Sequence, residues 1–270
     1  MNLSAHRVAV IGAGHMGTAM IAGLVASSEG PRPVVVETDG ARRAAVLEQF
    51  GTVARERYEP GCADTVILAV QPQQFEALAR DLAQGAFDGT LVVSVMAGVS
   101  IRTMTELLGT ARVVRAIPNT PSEIGFGMTV LAPGEAVTPD DVVRAEGVLA
   151  LLGRVLTVSD EALIDDATAL CGGGPAFVAY LAGALCDFAV GAGFDAGQAR
   201  SMTAQVLRGT AELLDRVDRT PQELCAEVMT PGGTTEQGIF HFRDKGLADI
   251  VVKGLDRAAR RSRELDGIVR

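Results

Sequence analysis

A short loop near the C-terminus, residues 229–235, places two adjacent glycines between threonine hydroxyls in the order Met-Thr-Pro-Gly-Gly-Thr-Thr. Glycines let a backbone approach a ligand that a side chain would exclude. The residues that follow can begin a helix, and the free N–H groups at a helix N-terminus favour an anion. Pro-Gly-Gly is also common in plain turns. On its own, the loop therefore predicts either a helix-capping turn or a site for a small carboxylate.

A second glycine-rich segment, residues 12–17, has the form Gly-x-Gly-x-x-Gly and lies between a β-branched run and a helical pattern. In that context the glycines form a tight turn, admit a pyrophosphate and let helix and strand pack closely, which predicts a dinucleotide site. Glu37 follows Gly17 by 20 residues, where an acid accepts the ribose hydroxyls of NAD and repels the 2′-phosphate of NADP. Arg42 and Arg43 could instead bind that phosphate or lie on the helix surface, so NADH and NADPH both stay open.

Three later strands end in proline- or glycine-containing segments, at residues 69–72, 94–98 and 116–121. In open α/β sheets, ligands bind beyond the carboxyl ends of the strands. Any one of these segments could be an ordinary strand terminator. Together they predict a cofactor cleft at one edge of a sheet.

Short β-branched runs alternate with helical patterns over the first half of the chain, and helical patterns alone follow. This order predicts an α/β fold, with a doubly wound Rossmann domain over residues 1–159 and an all-helical dimerisation domain over residues 160–270. We expect strands at 7–11, 33–37, 65–70, 90–95, 112–117, 127–131 and 155–158. We expect helices at 15–28, 40–50, 73–83, 100–108, 138–152, 161–170, 175–191, 196–215, 221–229, 234–245 and 247–265.

Composition narrows the functional classes. The chain has 270 residues, a net charge of −9 and only two lysines, Lys245 and Lys253, so we expect no nucleic-acid partner. The four cysteines are widely spaced, with no histidine partners at metal-ligand spacing, and we expect reduced thiols and no metal. No signal-peptide pattern opens the sequence, which predicts a soluble, cytoplasmic protein. Residues 175–193 are apolar but contain Asp187, which favours a helix at a protein interface over a membrane span.

Six segments in this order resemble the pyrroline-5-carboxylate reductase family. They are residues 12–17, 69–73, 96–98, 117–121, 172–177 and 230–235, and they extend over nearly the whole chain. The resemblance implies a Rossmann domain and a helical, substrate-binding domain that interlocks with its partner in a homodimer, which can assemble into a decamer of five dimers. It also implies hydride transfer from NADPH or NADH to the C=N carbon of 1-pyrroline-5-carboxylate, giving L-proline in the last step of proline synthesis.

The resemblance implies site residues as well. The substrate carboxylate would be held by the threonine loop, and Thr235 would place its hydroxyl near the ring nitrogen as a catalytic donor or relay. The substrate-binding residues are then Thr230, Gly232, Gly233, Thr234 and Thr235. The expected cofactor-binding residues are Ile11, Gly12, Ala13, Gly14, His15, Met16, Gly17, Glu37, Glu56, Ala69, Val70, Gln71, Pro72, Ala97 and Asn119.

The chain departs from the family pattern at several positions. Gln71 replaces the usual lysine, Gly173 and Phe177 replace a serine and a tyrosine, and Thr230 replaces a serine. Glu56 stands where many members carry an asparagine near the adenosine ribose, which with Glu37 favours NADH. These changes leave open a reductase of another cyclic imine or related substrate, for example in secondary metabolism. They also leave open a non-catalytic nucleotide-binding relative, although the intact threonine loop argues against it.

Overall fold

The structure, a computed structural model, describes residues 5–28 and 30–265. The chain forms two compact units. One contains the described residues up to Pro175 together with those from Leu255 onward, and the other contains Ala176–Gly254. The α/β fold class predicted from the sequence is confirmed, whereas the domain boundary at residue 160 stays a prediction.

The first unit is built on an eight-stranded sheet in the order β3-β2-β1-β4-β5-β6-β7-β8. The first six strands are parallel, β7 is antiparallel to β6, and β8 is parallel to β7. The parallel sheet predicted for the strands up to residue 117 is confirmed. The direction of β7 and the short strand β3 were not predicted. The strands are β1 (Val8–Ile11), β2 (Val34–Val36), β3 (Ala54–Arg55), β4 (Thr65–Leu68), β5 (Leu91–Ser94), β6 (Val113–Ile117), β7 (Gly127–Pro133) and β8 (Gly153–Thr157).

Helices cover both faces of this sheet, as the fully buried strands β1, β4 and β5 require. Alternate residues of β1 enter different cores: Val8 and Val10 join one buried apolar cluster, and Ala9 and Ile11 join another. The helices whose bounds fall in this unit are α1 (His15–Ala26), α2 (Gly40–Phe50), α3 (Pro72–Asp81), α4 (Ile101–Leu108), α5 (Pro139–Ala150) and α6 (Leu163–Ala167).

Side-chain caps fix where several of these helices begin. Asp39 accepts a hydrogen bond from the backbone N–H of Arg42 at 2.8 Å, and this bond lowers the pKa of Asp39. At α5, Thr138 and Asp141 form a reciprocal capping box. The predicted helix at 161–170 is instead α6 followed by a π-helical turn, Thr168–Gly172.

A buried ionic cluster joins Ser262 to the sheet of the first unit. Arg115 on β6 is 4% exposed and donates to the carboxylates of Glu161 (3.1 Å) and Asp165 (2.7 Å). The hydroxyl of Ser262 donates to the same Asp165 oxygen at 2.6 Å. Because a buried guanidinium needs paired charges, this cluster holds the segment around Ser262 against β6.

The second unit is helical in the residues described. It contains most of α7 (Gly174–Gly191), then α8 (Ala196–Arg216), α9 (Pro221–Val228), α10 (Thr234–Asp244) and the first turns of α11 (Leu247–Leu265). Large apolar side chains on α7 are unusually exposed, including Tyr180 at 83% and Phe188 at 77%. A helix that exposes such a face is expected to cover it with another protein surface.

Candidate active site

The segment 12–17 adopts the turn that its glycines predict. Strand β1 ends at Ile11, the N–H of Gly12 donates to the carbonyl oxygen of Val36 at 2.8 Å, and α1 begins at His15. Gly12 has φ of 98°, and a Cβ there would lie 2.8 Å from the carbonyl oxygen of Ala69. Only glycine fits such a conformation at such a close approach. The turn therefore carries the chain from the sheet edge directly into the start of α1.

The N-terminus of α1 fits a dinucleotide pyrophosphate. Its N-cap residue is Gly14, which has no side chain to satisfy the N–H groups of the first turn. A Cβ at Gly14 would meet no protein atom within 4 Å, so the space in front of these donors is open. Open backbone donors at a helix N-terminus are what a phosphate group needs, and His15, Met16 and Gly17 form that first turn.

A cleft of 660 Å³ extends from this turn along the carboxyl ends of the strands. Eight of the predicted cofactor residues line it: Ile11, Gly12, Gly14, Glu37, Glu56, Ala69, Val70 and Gln71. Sequence reasoning missed Thr38, Arg57, Tyr58 and Gln74, which line it too. Tyr58 and Arg57 follow the two-residue strand β3, and a strand that short gives too little pattern to place its flanking residues at a sheet edge.

Glu37 is the buried acid of this cleft, with a side chain only 6% exposed. One carboxylate oxygen accepts the N–H of Ala13 at 2.9 Å, and the other accepts the N–H of Asp39 at 2.9 Å. These bonds tie the end of β2 to the glycine turn. They also hold the carboxylate in one orientation.

The two arginines predicted as an alternative phosphate site both contact acids or carbonyls of their own chain. Arg43 donates to the carbonyl oxygens of Glu37 (2.7 Å) and Thr38 (3.2 Å), and its guanidinium lies 3.8 Å from the carboxylate of Glu56. Arg42, which lines the cleft, lies 3.6 Å from the carboxylate of Glu37.

The remaining predicted cofactor residues lie at the edge of this arrangement or apart from it. Pro72 is the first residue of α3, directly after the cleft residue Gln71. Ala97 and Asn119 follow β5 and β6 and are not among the residues that line the cleft. The amide of Asn119 accepts the N–H of Met128 at 2.9 Å and donates to the carbonyl oxygen of Cys171 at 3.2 Å, so it joins two backbone segments.

In the second unit, the threonine loop leads into α10 as a tight turn. The N–H of Gly233 donates to the carbonyl oxygen of Thr230 at 2.8 Å, and α10 begins at Thr234 without a side-chain cap. Its first turn therefore presents backbone N–H groups beside the half-buried Thr235. The N–H of Gly232 donates to the carboxylate of Glu236 at 2.8 Å. The predicted turn is thus present in the loop, and the site for a bound carboxylate stays a prediction.

Known proteins match the chain over nearly its full length. A reductase from Synechocystis, named pyrroline-5-carboxylate reductase, is 34% identical over 263 residues, which cover 96% of this chain and 98% of the relative. The chain belongs to the pyrroline-5-carboxylate reductase family. The family model for pyrroline-5-carboxylate reductase dimerisation matches residues 161–265, and one described as NADP oxidoreductase, coenzyme F420-dependent, matches residues 7–98.

Solved structures of the family share this fold. The pyrroline-5-carboxylate reductase of Coxiella burnetii is 32% identical, with a TM-score of 0.86 over 96% of this chain and 98% of its own. The Plasmodium falciparum pyrroline carboxylate reductase, solved with NADP bound, has a TM-score of 0.89 at 20% identity, over 98% of this chain and 99% of its own. At 20% identity, the similarity to the Plasmodium falciparum protein is evidence for the fold alone.

One helical run among the described residues, Leu163–Gly191, is long and apolar enough to cross a membrane by length and composition. Only 6% of its most apolar window is buried within the structure. The run lies inside the region that matches the reductase dimerisation family. Its exposed apolar residues therefore belong to the part of the chain that makes subunit contacts in this family.

Proposed function

We propose that this protein reduces 1-pyrroline-5-carboxylate to L-proline with NADH or NADPH, the last step of proline synthesis. The observation that carries the proposal is the 34% identity to the Synechocystis reductase over 98% of that protein. Two further features support it. The glycine turn of the first unit offers backbone donors to the dinucleotide pyrophosphate, and the threonine loop of the second unit offers them to the substrate carboxylate.

When bound, the nicotinamide dinucleotide supplies a hydride to the carbon of the ring C=N bond. A C–H bond forms there, the C=N double bond becomes single, and a proton on the ring nitrogen completes the amine. The protonated imine is the better hydride acceptor because its carbon is more electrophilic. The protein's contribution is then to orient the reactants and to stabilise the charge that moves during transfer.

We assign the substrate carboxylate to the threonine loop, with Thr230, Gly232, Gly233, Thr234 and Thr235 as its binding residues. The N-terminus of α10 supports this assignment, because its first turn has no side-chain cap and offers backbone N–H groups to a carboxylate. The N–H of Gly232 would exchange its bond with Glu236 for one with the substrate. Thr235 is half-buried in the first turn of α10, and we assign its hydroxyl to the ring nitrogen as donor or relay.

We assign the dinucleotide to the cleft of the first unit. Its pyrophosphate would contact the turn at residues 12–17 and the N-terminus of α1, and its adenosine ribose would contact Glu37 and Glu56. The segment Ala69, Val70, Gln71 and Pro72, with Ala97 and Asn119, completes the proposed set. We further propose that the protein is cytoplasmic and that its homodimers can assemble into a decamer of five dimers.

The decisive assay mixes the purified full-length protein with 1-pyrroline-5-carboxylate and either NADH or NADPH, and follows the nicotinamide absorbance. Oxidation of the dinucleotide with formation of proline is the expected result. No oxidation with either dinucleotide would overturn the proposal.

A six-membered imine carboxylate, tested in parallel, covers the alternative that Gln71, Gly173 and Phe177 suggest. Turnover of that imine alone would favour a reductase of another cyclic imine. Tight dinucleotide binding without turnover of either imine would favour a non-catalytic relative.

A further inference from the structure

The turn that follows β5 packs directly against α11. Gly98 in this turn has φ of 67°, and a Cβ there would overlap the Cβ of Leu265 and lie 2.8 Å from the carbonyl oxygen of Ser262. Only glycine fits such a backbone at so close an approach. No side chain separates the turn from α11, so a shift of residues 262–265 would move the turn as well.

This turn lies beside the dinucleotide cleft. The N–H of Val95 donates to the carbonyl oxygen of Leu68 at 3.0 Å, so the backbone leaves β5 next to the cleft segment that begins at Ala69. In the sheet, β1 separates β2 from β4 and β5. A dinucleotide that crosses the end of β1, with its adenosine ribose at Glu37 after β2, places its nicotinamide where β4 and β5 end.

Ser262 fixes the position of α11 in this contact. It is 3% exposed, and its hydroxyl donates to the carboxylate of Asp165 at 2.6 Å. The same carboxylate oxygen accepts a bond from the buried Arg115 of β6 at 2.7 Å. Because a hydrogen bond to an ionised acceptor is shorter and stronger than one between neutral groups, this bond holds residues 262–265 of α11 at a defined place relative to β6.

The same ionic cluster holds the far end of the turn. Glu161 accepts the N–H of Ile101, the first residue of α4, at 2.8 Å, and it is bonded to Arg115 at 3.1 Å. The backbone after β5 is therefore fixed at Ile101 by the cluster itself and at Gly98 by the packing of α11. Ala97, which precedes these two fixed points, takes its position from them.

We propose that Ser262 is a positioning residue for hydride transfer. It fixes α11 against the turn and so holds Ala97 in place beside the nicotinamide, although Ser262 does not itself line the cleft. Loss of its hydroxyl frees the turn, which weakens contacts at the nicotinamide and leaves those at the adenosine unchanged. The proposal rests on the dinucleotide site of the proposed function, including Ala97, but not on the identity of the imine.

Calorimetric titration of the full-length protein tests this without an imine. The dinucleotide that the wild type binds more tightly is compared with the fragment that lacks its nicotinamide, ADP-ribose for NADH or 2′-phospho-ADP-ribose for NADPH. In Ser262→Ala we expect the dinucleotide to bind about tenfold more weakly, as the loss of one hydrogen bond to a charged group predicts. The fragment should bind within about twofold of its wild-type affinity, because it does not reach the turn.

Two further variants separate positioning from stability. Ser262→Thr keeps the hydroxyl and should restore most of the dinucleotide affinity. Ser201→Ala is the matched control, since it removes the same group from an exposed position on α8, and it should bind both ligands as the wild type does. Equal weakening of both ligands in Ser262→Ala, or no weakening of either, would overturn the proposal.

Leu265→Ala makes the same comparison if Ser262→Ala does not fold. It shortens the side chain that packs on Gly98 and leaves the bonds of the ionic cluster in place. We expect the same difference between dinucleotide and fragment. Without that difference, the contact between α11 and the turn does not position the nicotinamide.

Failure of this proposal is distinguishable from failure of the proposed function. If the protein reduces 1-pyrroline-5-carboxylate, kcat of Ser262→Ala should fall by about tenfold, since a small misplacement of a reacting group is costly, with KM for the imine unchanged. A protein that forms proline and keeps full kcat in this variant would contradict only the role of Ser262. A protein that shows the difference in binding and reduces no imine would contradict only the proposed reaction.

Discussion

Thr235 is the residue on which the proposed chemistry depends most. It lies half-buried in the first turn of α10, whose N-cap residue, Gly233, has no side chain that could cap the helix. Thr235→Val keeps the shape of the side chain and removes the hydroxyl. We expect kcat for imine reduction to fall by about 100-fold, the low end for a lost proton donor, with the NADH dissociation constant unchanged. Thr235→Ser should restore most of the rate. Full activity in the valine variant would mean that Thr235 has no chemical role.

His6 makes stability depend on pH between about 7 and 5, where an ordinary histidine titrates. Burial lowers the pKa of His6, although Asp64 acts in the opposite direction. Its ring nitrogen lies 2.9 Å from the hydroxyl of Thr65. Because the folded pKa lies below the unfolded one, the unfolded chain binds a proton first as the pH falls.

We therefore expect the melting temperature to fall from pH 7.5 to pH 5.5, and His6→Gln to reduce that fall. Asp64, whose pKa is lowered by its hydrogen bond from Arg7, contributes stability that is lost only in more acidic solution, below about pH 4. A calorimetric melting series over this range checks the prediction. The same fall in the variant as in the wild type would exclude His6 as its source.

At the level of single residues, the sequence predicted positions better than contacts. Gly12 and Glu37 lie where the motif and its spacing place them, because a β–α turn is a local structure. The contacts of Asn119 and Glu236 were not predictable. The amide of Asn119 joins backbone groups nine residues and 52 residues away, and Glu236 occupies a donor of the threonine loop. Such bonds form where the folded backbone has N–H and carbonyl groups without a partner in a helix or strand. The types of the residues do not reveal where those groups lie.

The start of α1 gives a test at the level of a structural element. Gly14 has an extended backbone, with φ of −71° and ψ of −169°, that alanine also adopts, and its Cβ would meet no protein atom within 4 Å. Gly14→Ala should therefore leave the melting temperature nearly unchanged. The added methyl group would occupy the proposed pyrophosphate site, so we expect NADH to bind at least about tenfold more weakly.

Gly17→Ala is the contrasting variant for this test. A Cβ at Gly17 would overlap the carbonyl oxygen of Gly12, so this change should lower stability as well as affinity. Thermal melting and calorimetric titration of both variants separate the two effects. If Gly14→Ala binds NADH as the wild type does, the pyrophosphate does not lie at this turn.

The elements themselves were largely predictable, and the exceptions have physical reasons. Helix α2 begins and ends at the predicted residues because Asp39 caps its start and Gly51 ends it in a left-handed conformation. Strand β3 has only two residues, too few for any periodicity. The direction of β7 follows from its connection: nine residues separate β6 from β7, and a parallel return needs a dozen or more. That short connection was visible in the sequence, and it excludes a parallel β7.

At the scale of the whole molecule, the exposed apolar side chains of the second unit indicate that a single chain needs a partner subunit to cover them. Phe188 and Tyr180 on α7 are 77% and 83% exposed, and Ile250 on α11 is 61% exposed. The dimerisation family matches residues 161–265, which include all three. A soluble monomer rarely exposes so much apolar surface, so the second unit reaches its stable form with a partner subunit.

Phe188→Glu tests this dependence. Phe188 lies in the last turn of the apolar helix α7, and a glutamate there would place a charge in the proposed subunit interface, where an unpaired charge is strongly unfavourable. We expect the variant to elute as a monomer in size-exclusion chromatography with light scattering and to melt at a lower temperature.

Leu47→Glu is the matched control, because Leu47 is an exposed apolar residue (53%) on α2, outside the dimerisation region. The control should keep the oligomeric state of the wild type. A Phe188→Glu variant that also keeps it would place the interface elsewhere on the second unit.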